Sequence, residues 1–177
     1  MPIYSPIEIR PIRPADVPAL LAIITAGGLE LIEPADRALY SNYQRSRALY
    51  FVALLDGEVM GGAGVAPLTG ADPHTCELQR LIVRSGARRR GIGEALLRHC
   101  LAAAKQFLYV RCYFETGARG QVARRFYTRH GFRELPPQGR TLMRPLRASA
   151  RQWFDGVPAP STFDGVTACA LLGAGPH

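Results

Sequence analysis

The stretch RSGARRRGIGEALLRHCLAAAK, Arg84 to Lys105, decides how this chain is read. Three consecutive arginines, Arg88, Arg89 and Arg90, run into Gly91-Ile92-Gly93. An apolar helical pattern follows, with Ile92, Leu96, Cys100, Ala103 and Phe107 marking one face. Successive backbone N–H groups at a helix start attract anions, and the helix dipole adds roughly half a positive charge there. Glycine permits the close approach that a Cβ would block, and arginine forks match phosphate oxygens. The stretch therefore reads as an anion cradle formed by a short glycine-bearing loop and a helix N-terminus. Neither GxxxxGKS/T nor GxGxxG is present, because only Gly91 and Gly93 are glycines here. That argues against a P-loop and against a dinucleotide fingerprint.

The surroundings supply a strand before the loop and a mixed pattern beyond. CELQRLIV, Cys76 to Val83, is a central strand that ends at Ser85-Gly86. Ile7 and Ile9 mark a short first strand, and Val17, Leu20, Leu21 and Ile24 follow helical spacing after a candidate N-cap at Asp16 with Pro18 in the first turn. Gly27-Gly28 stops that helix, and Pro34 opens a second one carrying Leu39, Tyr40 and Tyr43. ALYFVALL and EVMGGAGVA are two strands joined through Asp56-Gly57, a hairpin signal. LYVRCYF is a further strand. GARGQVARRFYTRH is a helix with Val122, Phe126 and Tyr127 on one side, capped by Gly131; FRELP and TLMRPL follow as strands. Residues 148–177, rich in Pro, Gly and Ala, read as an extension of the single domain spanning 1–147.

The chain has 177 residues and 47% apolar composition, enough for one domain with a core. No apolar run approaches the roughly 20 residues of a membrane span, and the first ten residues lack a secretory pattern. The expectation is a cytoplasmic protein without a membrane partner. Cys76, Cys100, Cys112 and Cys169 show no CxxC spacing, so no metal is expected and the cysteines read as small buried residues. The net charge of +8 is almost all arginine, since Lys105 is the only lysine. From Gln79 to Arg98 six arginines face Glu94 alone. A nucleic acid, a small polyanion or a solvated basic face each fit such a run.

R-x-x-G-x-G, from Arg88 to Gly93, resembles the acyl-CoA-binding signature of the GNAT superfamily of N-acyltransferases. The strand CELQRLIV before it is similar to the family's fourth strand, and RRFYTRHGFRELP to its late helix and sixth strand; the likeness covers roughly residues 7 to 147. It implies an α/β fold: a mixed, largely antiparallel central sheet flanked by helices and splayed between strands four and five. It implies that Arg88, Arg89, Arg90, Gly91, Ile92, Gly93 and Glu94 wrap the pyrophosphate of coenzyme A, mainly through backbone N–H groups. Leu81, Ile82 and Val83 would lie where the fourth strand parts from the fifth and meet the pantetheine arm as a pseudo-strand. Many members carry asparagine seven residues before the late-helix tyrosine; here that position is Gly120, and Gln121 is the candidate substitute.

Acyl transfer from a thioester to an amine needs a base for an amine of pKa about 10.4, and a proton donor for the leaving thiolate. Glu77, fourteen positions before Gly91, resembles the family's general-base glutamate, acting through water; a carboxylate within a strand is otherwise costly. His74 and Cys76 are the alternative bases, while His99 reads as helix surface and His130 as a helix-end cation. Tyr127 occupies the position of the family's tyrosine, whose hydroxyl reaches the CoA sulfur as general acid; its other reading is an aromatic core residue.

The implied function is an acetyl-CoA-dependent N-acetyltransferase acting by direct attack in a ternary complex, as a monomer or homodimer and without a metal. The alternatives are a non-catalytic CoA-sensing module and a nucleic-acid-binding protein. Retention of Glu77 and Tyr127 favours the enzyme, and aromatics do not interleave with the arginines as nucleic-acid stacking requires. The acceptor is an amine, a small molecule in preference to a protein. Gly27 to Arg47 and Pro136 to Arg140 would shape its site, and Glu30, Glu33 and Asp36 would attract a cationic amine.

Overall fold

A computed structural model describes residues 6–27, 38–115, 121–134 and 141–146. The expected helix start at Pro34, the acids Glu30, Glu33 and Asp36, Gly120, the loop Pro136 to Arg140, Cys169 and the 148–177 extension lie outside them.

The first elements among the described residues are β1 (Glu8–Pro11), a short 3-10 turn and α1 (Val17–Ala26). Asp16 stands at the N-cap position of α1 but makes no side-chain cap bond. Its carboxylate instead takes two hydrogen bonds from the Arg10 guanidinium, at 2.7 and 2.9 Å, and one from the Arg13 N–H at 2.7 Å. It thereby ties the first strand to the first helix. Gly27 closes α1, its N–H bonding back to Ile23 and Ile24. α2 is a single turn, Leu39–Asn42.

β2 (Leu49–Leu55) and β3 (Glu58–Pro67) form the hairpin read from the sequence. Asp56 and Gly57 sit at φ 53° and 80°, the two left-handed residues that a tight hairpin turn demands. β4 (Thr75–Val83) pairs antiparallel with β3, α3 (Ile92–Gln106) follows, and β5 (Arg111–Glu115) returns parallel to β4. α4 (Gln121–Arg129), β6 (Arg133–Glu134) and β7 (Thr141–Pro145) complete the order. The sheet runs β1-β2-β3-β4-β5-β7-β6, and only the β4–β5 pair is parallel. The last strand inserts beside β5 and leaves β6 at the edge.

Helices cover both faces. α3 and α4 close one core with Phe51, Leu78, Leu96, Phe114 and Tyr127. α1 and α2 close the other with Leu20, Ile24, Tyr43, Tyr50 and Ile82. On α4 the buried stripe is Ala123 and Tyr127, one turn apart, while Val122 is 74% exposed, which corrects its expected place on the inward side. Phe107 packs half-buried at the end of α3. Among the described residues no helix is long and apolar enough to cross a membrane.

β4 carries one irregularity that positions everything else. Gly62 pairs with Ile82 and Gly64 with Gln79, so β4 holds one residue more than β3 over this interval. That is a β-bulge, with Arg80 at φ 50°, a left-handed value few non-glycine residues adopt. The packing records the phase change: Cys76 and Leu78 face the α3 core before the bulge, Leu81 and Val83 after it.

The hydrogen bonds from the Arg10 guanidinium, with that from the Arg13 N–H, hold the Asp16 carboxyl below the usual carboxylate range. The pair is partly shielded from water, with 17% and 6% of the two side chains exposed. Charged hydrogen bonds of this kind contribute about 1.5–3 kcal/mol. Asp16→Asn should therefore lower the melting temperature by roughly 3–12 °C at pH 7, measured by calorimetry. A depressed folded-state pKa stabilises above the unfolded value of about 3.9 and loses that contribution as pH falls through the folded one. The gap between wild type and variant should therefore close in acid.

Candidate active site

β4 and β5 pair over three residues only: Thr75 with Arg111, Cys76 with Cys112 and Glu77 with Tyr113. Beyond Glu77 the strands part. β5 continues to Glu115 paired only with β7, and β4 runs on to Val83 paired only with β3. The result is a wedge-shaped gap with Glu77 at its apex, Leu81 to Val83 along one wall and the loop before α3 at the open end. Within that wall the phase of pairing separates the residues. The Arg84 N–H bonds to the Met60 carbonyl at 2.7 Å, so Ile82, two residues earlier, also turns its peptide groups to β3. Val83 turns away, and its carbonyl accepts from Arg88 Nε at 3.2 Å.

That bond gives Arg88 a structural task. Half-buried, it straps the loop to the end of β4, while Arg89 and Arg90 are exposed. Arg89 and Gly91 are both left-handed, at φ 61° and 82°, and Gly91 is the N-cap of α3 without any side-chain cap bond. Left-handed residues within a turn bring successive N–H groups to one concave side, the geometry of an anion nest. No acceptor for the N–H groups of Arg89 to Glu94 is present among the described residues. A Cβ on Gly91 would enter open space, so glycine is required there by φ; on Gly93 it would point at Phe126 and Val83 across the gap.

Glu77 is 7% exposed. It lies on the opposite face of β4 from Cys76, which packs in the α3 core and donates its thiol to the Arg111 carbonyl at 3.3 Å. Glu77 lines a cavity of about 330 Å³, within the usual range of small-molecule sites. Gln79 donates its amide to Glu77 Oε1 and accepts the Tyr43 hydroxyl on its own Oε1, giving a relay from Tyr43 to the carboxylate. Burial pushes the Tyr43 hydroxyl well above its ordinary pKa, so it remains a donor. Arg80 lines the same cavity, because the bulge puts it on the face that Glu77 and Gln79 already occupy.

Two glycines make room for this floor. A Cβ on Gly62 would stand 2.5 Å from the Tyr50 ring, and one on Gly64 would stand 2.6 Å from the rings of both Tyr43 and Tyr50. The rings lie 5.1 Å apart, and the Tyr50 hydroxyl holds the Arg80 carbonyl at 2.9 Å. Reading the sequence missed Tyr43, Tyr50, Gln79 and Arg80 as site residues. The available signal was EVMGGAGVA, a strand with too many glycines for its length, and the polar run Glu77-Leu-Gln-Arg80, whose alternation breaks at Arg80.

Tyr127 approaches from the other face. Its ring is fully buried, stacked 4.0 Å from Phe114, the first β5 residue past the parting, with Phe126 and Phe132 at 5.1 and 5.3 Å. Burial raises its pKa well above 10, and its hydroxyl meets no hydrogen-bond partner among the described residues. His74 is exposed at the start of β4, where its carbonyl accepts from the Val110 N–H. The His99 ring bonds the Ala95 carbonyl on its own helix, and the His130 ring packs on Phe126 at the end of α4. Gln121 begins α4, and its side chain lies outside the described set. Cys76, Cys100 and Cys112 are buried free thiols, and among the described residues no group of three or more His, Cys, Asp or Glu is arranged to hold a metal ion.

Comparison with known proteins bears on this geometry. Residues 19–132 match the profile of the acetyltransferase (GNAT) family. The chain is 33% identical over 108 residues to the uncharacterized N-acetyltransferase YjgM of Escherichia coli, spanning 61% of this chain and just under two thirds, 65%, of that protein. It is 30% identical over 124 residues to the E. coli uncharacterized N-acetyltransferase YedL, spanning 68% of this chain and 77% of that one. In fold it resembles a GNAT-family acetyltransferase from Staphylococcus aureus, at TM-score 0.71, 22% identity, and 80% and 100% coverage of the two chains. It also resembles the PaiA N-acetyltransferase of Thermoplasma acidophilum, solved with coenzyme A, at TM-score 0.65, 20% identity, and 79% and 99% coverage.

A buried hydroxyl without a partner is a liability of about 1–3 kcal/mol. Tyr127→Phe should therefore leave the melting temperature of the free protein unchanged or raise it by a few degrees, measured by scanning fluorimetry. A drop of several degrees would mean that the hydroxyl is already bonded in the core.

Proposed function

The chain belongs to the GNAT family of acetyltransferases, and on that premise we propose that it transfers an acetyl group from acetyl-CoA to the primary amine of a small-molecule acceptor, by direct attack in a ternary complex. The observation that carries this reading is the gap beyond Glu77, with a nest of N–H groups that have no acceptor among the described residues at its open end and a carboxylate at its apex. The names of YjgM and YedL, and the coenzyme A bound to PaiA, support it.

The residues fit coenzyme A. The N–H groups of Arg89 to Glu94 would take the pyrophosphate oxygens, with Arg88 holding the loop and exposed Arg89 and Arg90 adding charge. The unpaired edge of β4 would meet the pantetheine arm. The bound thioester supplies the activated acetyl group. Glu77, held by Gln79 and through it by Tyr43, receives the proton that the attacking amine gives up, directly or through one water. Tyr127, kept protonated by burial, gives its proton to the departing thiolate. The Tyr127 hydroxyl, which has no partner among the described residues, suits that task.

Glu77→Gln should lower kcat by about 10–10³-fold with unchanged acetyl-CoA affinity, and the deficit should shrink at high pH, where the amine deprotonates unaided. An unaltered rate near neutrality would remove Glu77 from the mechanism. Coenzyme A at about 100 times its Kd should raise the melting temperature by roughly 5–10 °C, and pantetheine, which lacks the pyrophosphate, by much less. Gly91→Val, which forces a branched residue to φ 82°, should abolish most of that shift relative to its own baseline. Stabilisation by duplex DNA with none by saturating coenzyme A would overturn the reading.

A further inference from the structure

Gln79 stands directly opposite Gly64 in the β3–β4 register. A Cβ on Gly64 would lie 2.6 Å from the Tyr43 ring, which occupies the space a side chain would otherwise fill. The missing side chain lets Tyr43, at the C-cap of α2, lie over β3 and put its hydroxyl on Gln79. Glycine inside a strand weakens it and often marks a place where another group comes close. The Tyr50 ring, 5.1 Å away, holds Tyr43 in place, and Tyr43 itself is 6% exposed.

The Gln79 amide has one end that accepts hydrogen bonds and one that donates them. Tyr43 decides which end goes where. Burial keeps its hydroxyl protonated, and among the described residues that proton is accepted by Gln79 Oε1. The NH2 end is thereby turned to Glu77 Oε1, and it can only donate. A donor facing a carboxyl group favours the charged carboxylate, whereas burial alone favours the neutral acid. A reversed amide would present an oxygen to Glu77 and favour the protonated form. The orientation of one amide thus selects between the two forms of Glu77.

We propose that Tyr43 and Gln79 are positioning residues for the base: Tyr43 locks the orientation of the Gln79 amide, and the locked amide holds Glu77 as an ionised, fixed acceptor for the amine proton. The lock rests on the hydrogen bonds and on the space left by Gly64; its use in catalysis rests on the acetyltransferase reading. Gln79 and Tyr43 keep their own protons throughout, and the proton released by the attacking nitrogen goes to the Glu77 carboxylate. Among the described residues the other titratable groups about Glu77 are Arg80 and Cys76 on β4, Tyr113 opposite it on β5 and Arg45 in the cavity lining. The variants below keep all of them, so a difference between variants reports the amide.

The test reads Glu77 itself. Its carboxyl carbon is titrated by NMR in protein isotopically labelled at the glutamate carboxyl, and its signal is assigned by its loss in Glu77→Gln. Gln79→Met keeps the length of the side chain and removes the donor. Its Glu77 midpoint should lie about one pH unit or more above wild type, the shift expected when a hydrogen bond to a charged group is lost. Tyr43→Phe keeps the packed ring and frees the amide, and should move the midpoint the same way by less. In the double variant the shift should equal that of Gln79→Met alone, because without the amide Tyr43 has no route to Glu77. In both single variants the acid limb of the kcat profile should move up with the midpoint, and the KM for acetyl-CoA should stay unchanged. In a Glu77→Gln background neither substitution should lower kcat further. An unmoved midpoint in either single variant, or shifts that add in the double variant, would overturn the lock while leaving acetyl transfer standing. If Gln79→Met does not fold, Tyr43→Phe carries the test alone, and an unmoved midpoint there overturns the proposal. Midpoints that move as stated in a protein that acetylates no amine would uphold the lock and sink the acetyltransferase reading, and with it the catalytic use of the lock.

Discussion

The parting of β4 from β5 after Glu77 is the constraint on which the rest of the molecule depends. Three residue pairs hold the strands together, and beyond them each keeps only the partner on its other edge, β3 for β4 and β7 for β5. A sheet that stayed zipped would satisfy its own peptide groups and offer a ligand nothing. By separating, it exposes the edge of a strand that is central to the sheet, which is otherwise the best-protected place in an α/β fold. The two helical layers make this tolerable. α3 and α4 fill one face around Leu78, Leu96 and Phe114, and α1 and α2 fill the other around Tyr43, Tyr50 and Ile82, so the gap costs little core.

The bulge at Arg80 is the second half of the same arrangement. Before it, β4 presents Glu77 and Gln79 to the cavity; after it, the strand has changed phase and presents Leu81 and Val83 to the α3 core. One inserted residue thus puts Arg80 beside Gln79 on the cavity face, while the other face of the strand stays in the α3 core on both sides of the bulge. The strain at a left-handed arginine is offset locally. Tyr50 takes up the displaced carbonyl, and the glycines of β3 leave space for the Tyr50 and Tyr43 rings. Cavity floor, relay to Glu77 and bulge therefore form one packed unit with Gly62, Gly64, Tyr43 and Tyr50.

Much of the fold could be read from periodicity and turn chemistry. The Asp56-Gly57 hairpin, the strand from Cys76 to Val83, the loop at Arg88 to Gly93 and the helix after it all rest on local signals, and each lies where that local chemistry puts it. What stayed hidden depends on contacts distant in the chain. Nothing near Asp16 says that Arg10 will claim its carboxylate, so the residue reads as a cap. Nothing near Tyr43 announces Gln79, 36 residues away. Val122 reads as inward on apolar character alone, yet the narrow buried stripe of α4 passes through Ala123 instead. The bulge left a trace, a polar run whose alternation breaks, but a parity break has meaning only once the partner strand's register is known.

The central claim is that the turn from Arg89 to Glu94 is a ready-made anion nest opening on the β4–β5 gap. Amide hydrogen exchange with and without coenzyme A tests it most directly, because those N–H groups have no acceptor among the described residues. The account predicts rapid exchange at Arg89 to Glu94 in the free chain and strong, local protection once coenzyme A is bound, with pantetheine leaving the loop unprotected. Protection that appears elsewhere, or a loop already slow to exchange without ligand, would contradict it.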